Sequence, residues 1–109
     1  MVKNKFGAKK IEIDGHTFDS LKEGRRYNEL KLLIRCGNIE SLELQPKYPI
    51  IVNGVKIGFY KADFRYFDCA KCMTVVEDVK GLKKGSAYQL FRLKKKLVEA
   101  IYKIKIEEV

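Results

Sequence analysis

The sequence predicts an α/β (α+β) domain in which a mixed central sheet is flanked by two helices and preceded by an extra N-terminal β-hairpin. Two stretches place apolar residues at helical spacing, several short stretches are rich in β-branched and aromatic residues, and the dipeptides Asp14-Gly15 and Asn53-Gly54 mark tight turns between them. The 109 residues suffice for one modest core rather than two, and 46% apolar with 34% charged residues is the composition of a chain that folds. Residues 1–10 form a basic arm without an apolar period, and residues 11–109 form the single domain.

In chain order, residues 10–13 and 16–18 flank Asp14-Gly15, a pair that accepts the positive φ angles of a type I′ turn, so a peripheral hairpin is expected. Ser20 is an N-cap with Glu23 three residues later, and Tyr27, Leu30, Leu33 and Ile34 follow at helical spacing, which predicts a helix over about residues 20–35 ended by Gly37. Residues 42–44 and 48–52 read as strand pieces broken by Pro46 and Pro49. Residues 59–67 and 73–80 read as two strands of a hairpin around the loop 68–72. Leu90, Leu93, Leu97, Val98 and Ile101 mark a second amphipathic helix over about residues 86–102 with the leucines in the core, and Ile104 and Ile106 alternate in a last strand. The order after the first hairpin is therefore α-β-β-β-α-β.

Lys and Arg total 23 against 14 acids, a net charge of +9, which favours a polyanionic partner. No apolar run approaches the ~20 residues of a membrane span, and residues 1–10 lack a signal-peptide core, so a cytoplasmic protein with no membrane partner is expected. Three cysteines, an odd number without an export signal, argue for reduced thiols.

A chemical constellation emerges from the central hairpin. If its loop is centred between Ala70 and Lys71, paired residues have numbers summing to 141, and Asp63 lies opposite Asp78. The same register pairs Lys61 with Lys80 and Arg65 with Val76. Alternation then puts Lys61, Asp63, Arg65, Asp78 and Lys80 on one face, and Ala62, Phe64, Tyr66, Val75 and Val79 on the other. Opposed carboxylates repel unless a cation lies between them, and hard oxygen ligands suit Mg²⁺, for which Mn²⁺ substitutes. Lys80, two residues beyond Asp78, is placed to stabilise charge developing in phosphodiester hydrolysis. The bland alternative is a set of surface ion pairs on a solvated sheet face.

Ala62-Asp63, a fourteen-residue gap and Asp78-Val79-Lys80 resemble the PD-(D/E)xK nucleases. Residues 4–10, Phe18-Asp19-Ser20 with Glu23, Leu44-Gln45-Pro46-Lys47, Ala62-Asp63-Phe64 and residues 76–81 are similar to small phage-encoded proteins related to Holliday junction resolvases. The resemblance implies a restriction-endonuclease-like core and a metal-dependent, structure-specific endodeoxyribonuclease acting on four-way junctions, in a bacterial host cytoplasm if phage-encoded; paired incision of such a junction needs two symmetry-related sites, so a homodimer is expected. It implies that Asp63, Asp78 and the Val79 carbonyl bind Mg²⁺, that Lys80 is catalytic, and that Glu23 assists the metal or water. Ala62 stands where the motif has proline, and Asp78 where glutamate is more frequent.

Glu23 also serves as a capping-box residue reaching back to Ser20, without any metal. Glu77 is a rival ligand that alternation aims at the opposite face. Cys69-x-x-Cys72 is half a zinc site, and with His16 the only histidine the other half is missing, so a plain hairpin loop is favoured over a labile disulfide or a shared zinc. His16 reads as an ordinary strand residue. Seven basic residues and no acid lie between Val79 and Val98. From these and the rest of the chain, Lys5, Lys9, Lys10, Lys61, Lys83, Lys84, Arg92 and Lys95 are the expected DNA contacts, with Tyr88 and Gln89 placed to line the site. A nickase or repair nuclease of the same fold, a non-catalytic nucleic-acid-binding protein, and a redox or zinc protein are the alternatives.

Overall fold

The structure, a computed structural model, describes residues 10–81 and 83–109. Its elements run β1 (Ile11–Ile13), β2 (His16–Phe18), α1 (Leu21–Arg35), β3 (Ile39–Leu44), β4 (Lys47–Val52), β5 (Val55–Lys61), β6 (Phe64–Asp68), β7 (Met73–Asp78), α2 (Ser86–Tyr102) and β8 (Ile106–Glu108). This is an α+β domain with two helices and a mixed sheet.

Both tight turns form as their sequences dictate, with φ of 55° and 80° at Asp14 and Gly15 and 51° and 79° at Asn53 and Gly54. Ser20 caps α1 by accepting the Glu23 amide at 3.1 Å, and Gly37, at φ 76°, turns the chain out of the helix.

The five strands between the helices are fewer independent units than their number suggests. From Leu44↔Phe64 through Lys47↔Lys61 to Ile50↔Gly58 the partner numbers sum to 108 without interruption. Hydrogen bonds from Gln45 N–H to Asp63 O (3.0 Å) and from Ala62 N–H to Pro46 O (3.1 Å) bridge the gap between the two ladders. Thus β3–β4 and β5–β6 are the two arms of one long hairpin, bent where Gln45 takes φ 54° and Pro46 offers no N–H. The expected continuous strand over residues 59–67 is therefore split: β5 leaves the sheet with β4, and β6 stays. Pro49 does not break β4. In a two-stranded ribbon one edge of every strand is unpaired, so its missing donor costs no ladder bond.

The four-stranded sheet has the order β3-β6-β7-β8, with β3, β6 and β7 antiparallel and β8 parallel to β7 across the α2 crossover. The β6–β7 register is Phe64↔Glu77 to Asp68↔Met73, each pair summing to 141 as the loop position predicts.

Both faces of this sheet are covered, and the expected division into a chemical face and a core face does not hold. On one side Phe64, Tyr66 and Val75 pack with Tyr27 and Leu30 of α1 and with Phe18. On the other, Val76 and Ile106 pack with Phe91 and Val98 of α2 and with Tyr48, Ile50 and Tyr60 of the bent ribbon. Ala62 joins this second cluster rather than the Phe64 face, because the bend at residues 62–63 interrupts alternation. The first hairpin is not peripheral either. Phe18 is buried, and a Cβ on Gly24 of α1 would meet Ile11 Cγ2 at 2.9 Å, so the hairpin lies directly on the helix.

On α2 the buried stripe is Phe91 and Val98 with Tyr88 and Leu97 partly covered, while Leu90 and Leu93 are exposed. The expected leucine core is thus rotated by about one residue step, since the aromatic ring at position 91 fills more of the space under the sheet. The last strand begins at Ile106; Ile104 packs against the core before it, following a left-handed Lys103.

Candidate active site

Asp63 sits at the bend of the long hairpin with its backbone held from both sides, its N–H donating to Glu77 O (3.1 Å) and its C=O accepting from Gln45. Asp78 ends β7 one step beyond the Phe64↔Glu77 pair that closes the ladder, and Asp63 precedes Phe64 outside it, so the two aspartates are neighbours just past the last pair. The Val79 N–H donates to Asp63 Oδ2 at 2.7 Å. Tyr60, buried on β5, donates its hydroxyl to Asp78 Oδ2, and Lys80 Nζ lies 3.2 Å from Asp78 Oδ1. The Lys80 ammonium also rests 3.8 Å from the Phe91 ring centroid, a cation–π contact that aims it along the carboxylates. Behind it, Lys80 N–H donates to Val109 O and Lys22 Nζ to Lys80 O, fixing the strand end.

The pair is electrostatically strained. Burial pushes the Asp63 carboxyl up to about 8, and the Asp78 charge beside it, the Glu23 charge and a hydrogen bond between the two carboxyls push the same way, against the Val79 amide. Burial also raises Glu23, reinforced by the charges of Asp19 and Asp78 and eased by the Asp19 backbone amide and Lys61. Glu23 therefore feels the pair. Its backbone receives the cap from Ser20, while its carboxylate is turned to the Asp19 amide rather than to the expected Ser20 amide.

Asp63, Asp78 and Lys80 line an open cleft of about 370 Å³, walled by Tyr60 and Lys61 from the ribbon and by Ala87, Leu90, Phe91 and Lys94 from α2. The α2 residues recur at i, i+3, i+4 and i+7, one stripe of the helix. Three lysines and three aspartates (Asp19, Asp63 and Asp78) share the lining, so a bound divalent cation makes it net positive.

The structure brings together Asp63, Asp78, Val79 and Lys80, with Lys61 at the rim. Lys61 faces Lys47 across the ribbon rather than Lys80 across the central hairpin, because β5 has left the sheet. Arg65 is turned away, to the Tyr48 hydroxyl (3.0 Å) and Glu43. Glu77 points to the opposite face, as alternation requires, where Arg26 (2.6 and 2.8 Å) and the Tyr66 hydroxyl (2.5 Å) hold it. Among the expected DNA contacts, Lys5 and Lys9 lie outside the described residues. Lys10 approaches Asp19 at 4.0 Å, and Lys84 and Arg92 are exposed. Lys95 is engaged by Glu108 at 3.0 Å and Lys83 is 4.0 Å from the same carboxylate. Tyr88 also turns to Glu108, and Gln89 is exposed away from the cleft. Tyr60 and Lys94 are the site residues that sequence reasoning passed over; Tyr60 is the buried partner of Tyr48 in an otherwise alternating strand, and Lys94 falls on the Ala87-Leu90 stripe. His16 is an exposed strand residue against Tyr27, and all three cysteines are free.

Among the described residues no group of three or more His, Cys, Asp or Glu side chains is arranged to hold a metal ion. Two carboxylates are nevertheless a donor set of the kind Mg²⁺ takes, since it is commonly bound by one or two carboxylates completed by water and substrate phosphates. The burial and mutual repulsion of Asp63 and Asp78 fit a cation between them. Among the described residues no helix is long and apolar enough to cross a membrane.

A family model matches residues 3–108. The chain belongs to the family described as Protein of unknown function (DUF1064). The match extends from the basic arm to the last strand, so the DUF1064 unit contains the whole sheet and every cleft residue. Comparison with curated proteins and with solved structures gives no match.

Proposed function

We propose that the chain is a metal-dependent DNA endonuclease of the PD-(D/E)xK kind, with a restriction-endonuclease-like core, cutting branched DNA such as a four-way junction. The observation that carries this is the desolvated Asp63–Asp78 pair with the Lys80 ammonium on Asp78, open to a cleft with further lysines. The fold supports it: α1, the antiparallel strands β3, β6 and β7, the α2 crossover and the parallel β8 follow the order α-β-β-β-α-β.

Asp63 and Asp78 would hold Mg²⁺ or Mn²⁺, together with the Val79 carbonyl; when bound, the ion activates water and neutralises phosphate oxygens. The chain's own residues do the rest. Tyr60 and the Val79 amide orient the two carboxylates, and Lys80 presents a positive charge at 3.2 Å from Asp78 to a phosphate lying beside the pair. Glu23, its carboxyl raised above the usual range by burial, is a neighbour of the site that feels the charge of Asp78. Paired incision of a junction needs two sites related by symmetry. Val55 and Ile57, 59% and 63% exposed on the part of the β4–β5 ribbon that does not line the cleft, support a homodimer.

The purified chain, incubated with four-way junction, flap, duplex and single-stranded DNA in Mg²⁺, Mn²⁺ or EDTA, should cut the branched forms only with metal. Lys80→Ala should lose cutting and retain binding. Cutting restricted to one strand of a duplex identifies a nickase or repair nuclease instead; binding with no cutting under any metal leaves a non-catalytic nucleic-acid-binding protein and sinks the proposal.

A further inference from the structure

Phe59 and Leu90 are unexplained by the core. Phe59 is 41% exposed on β5, on the side of the strand opposite buried Tyr60, and Leu90 is 53% exposed on α2. Both line the cleft that holds Asp63, Asp78 and Lys80. Apolar groups of this size left to water beside a charged site mark a binding surface. Cations flank these two side chains: Lys61 and Lys94 share the cleft with its three aspartates, and Lys47 Nζ lies 4.0 Å from the Phe59 ring centroid. Apolar side chains among lysines complement a base with its phosphates, since any base has a π-face to stack and a charged backbone beside it. A base paired in a duplex is stacked on both sides and cannot offer that face.

We propose that this rim is a nucleobase subsite: Phe59 and Leu90 receive one unstacked base next to the scissile phosphate, and Lys47, Lys61 and Lys94 hold the backbone on either side. The substrate class is therefore nucleic acid with an unstacked base at the reacting position, as at a flap or at the open centre of a junction. This rests on the nuclease reading for the identity of the scissile phosphate, but the base contact itself needs no cleavage.

The test is fluorescence anisotropy in EDTA with a fluorescein-labelled 5′-flap oligonucleotide carrying either thymine or an abasic residue at the first unpaired position. The wild-type chain should bind the thymine form roughly 5- to 150-fold more tightly, the range one stacked base supplies. Phe59→Ala should bind both forms equally, Phe59→Trp should restore the preference, and Lys94→Ala should weaken both forms alike while lowering the salt dependence. Thermal melts of each variant separate a lost contact from a lost fold. Equal wild-type affinity for the two forms, or a preference that survives in Phe59→Ala, overturns the subsite. Light scattering covers the remaining occupant: if Phe59→Ala turns a dimer into a monomer with the base preference intact, the residue serves a second copy and the subsite is again overturned. Base preference without cutting in any metal would keep the subsite and remove the nuclease reading.

Discussion

Replacing Asp63 by Asn tests the electrostatics of the site without requiring a substrate. The amide keeps the shape and an oxygen for the Val79 N–H at 2.7 Å, but removes one of two charges held together in a buried place. A carboxyl raised from 3.8 to about 8 corresponds to at most about 6 kcal/mol of folding free energy lost on ionisation. Water entering the open cleft and Lys80 beside Asp78 both relax this, so a gain of about 1–3 kcal/mol for Asp63→Asn is expected at alkaline pH. The sign follows from linkage. The folded state holds the Asp63 proton up to about pH 8 and the unfolded chain releases it near 3.8, so the native advantage is complete below about pH 4 and is lost as pH rises through 8. The variant should therefore melt close to wild type at pH 4 and about 4–24 °C above it at pH 9 in EDTA, at 4–8 °C per kcal/mol. Adding Mn²⁺ at 100 times its dissociation constant should raise the wild type by ~2.7 kcal/mol and leave the variant nearly unmoved. Circular dichroism melts of wild type and variant read each of these conditions. A variant that melts below wild type at pH 9 in EDTA, or a difference independent of pH, would refute the reasoning.

Two further expectations separate structure from function. Arg26, Glu77 and Tyr66 tie α1 to β7 through a buried ion pair, so Arg26→Ala should cost about 3–5 kcal/mol by leaving Glu77 unpaired, whereas Arg26→Met with Glu77→Leu should recover most of it; urea titration measures both, and equal losses in the two variants would count against the pairing. Lys94 faces the cleft while neighbouring Lys95 is held by Glu108, so Lys94→Ala should lower the slope of log affinity against log salt for flap DNA by about 1, and Lys95→Ala should leave that slope nearly unchanged; equal slopes would remove Lys94 from the phosphate track.

The parts of this molecule that were legible in its sequence are those decided by local chemistry. Asp14-Gly15 and Asn53-Gly54 impose their turns, Ser20 caps α1, and Gly37 ends it, each through backbone conformations or hydrogen bonds available within a few residues. The β6–β7 register was legible for a related reason: a loop of four residues centred on Ala70-Lys71 fixes every pair from Asp68↔Met73 to Phe64↔Glu77, and leaves Asp63 and Asp78 just past the last. What was not legible depends on contacts between distant segments. The bend at Gln45 and Pro46 acts on the opposite arm at Ala62 and Asp63 through the hydrogen bonds that join the two ladders, a coupling visible only once the arms are paired.

That same bend explains why the geometry at the centre of the site follows from the sequence and the geometry at its rim does not. Alternation carried along an unbroken strand would set Lys61 and Arg65 beside Asp63. Once β5 swings away with β4, Lys61 keeps a place at the cleft from the other wall, Arg65 goes to Tyr48 and Glu43, and Tyr60 arrives on Asp78 instead. The bend also brings the ribbon over α2, which selects the Ala87, Leu90, Phe91 and Lys94 stripe as the second wall and leaves Tyr88 and Lys95 to Glu108. A motif read along one chain segment can name the carboxylates, because their spacing is set by a short hairpin. It cannot name the tyrosine that orients them or the lysine that faces them, because those reach the site only through the fold of the long arm.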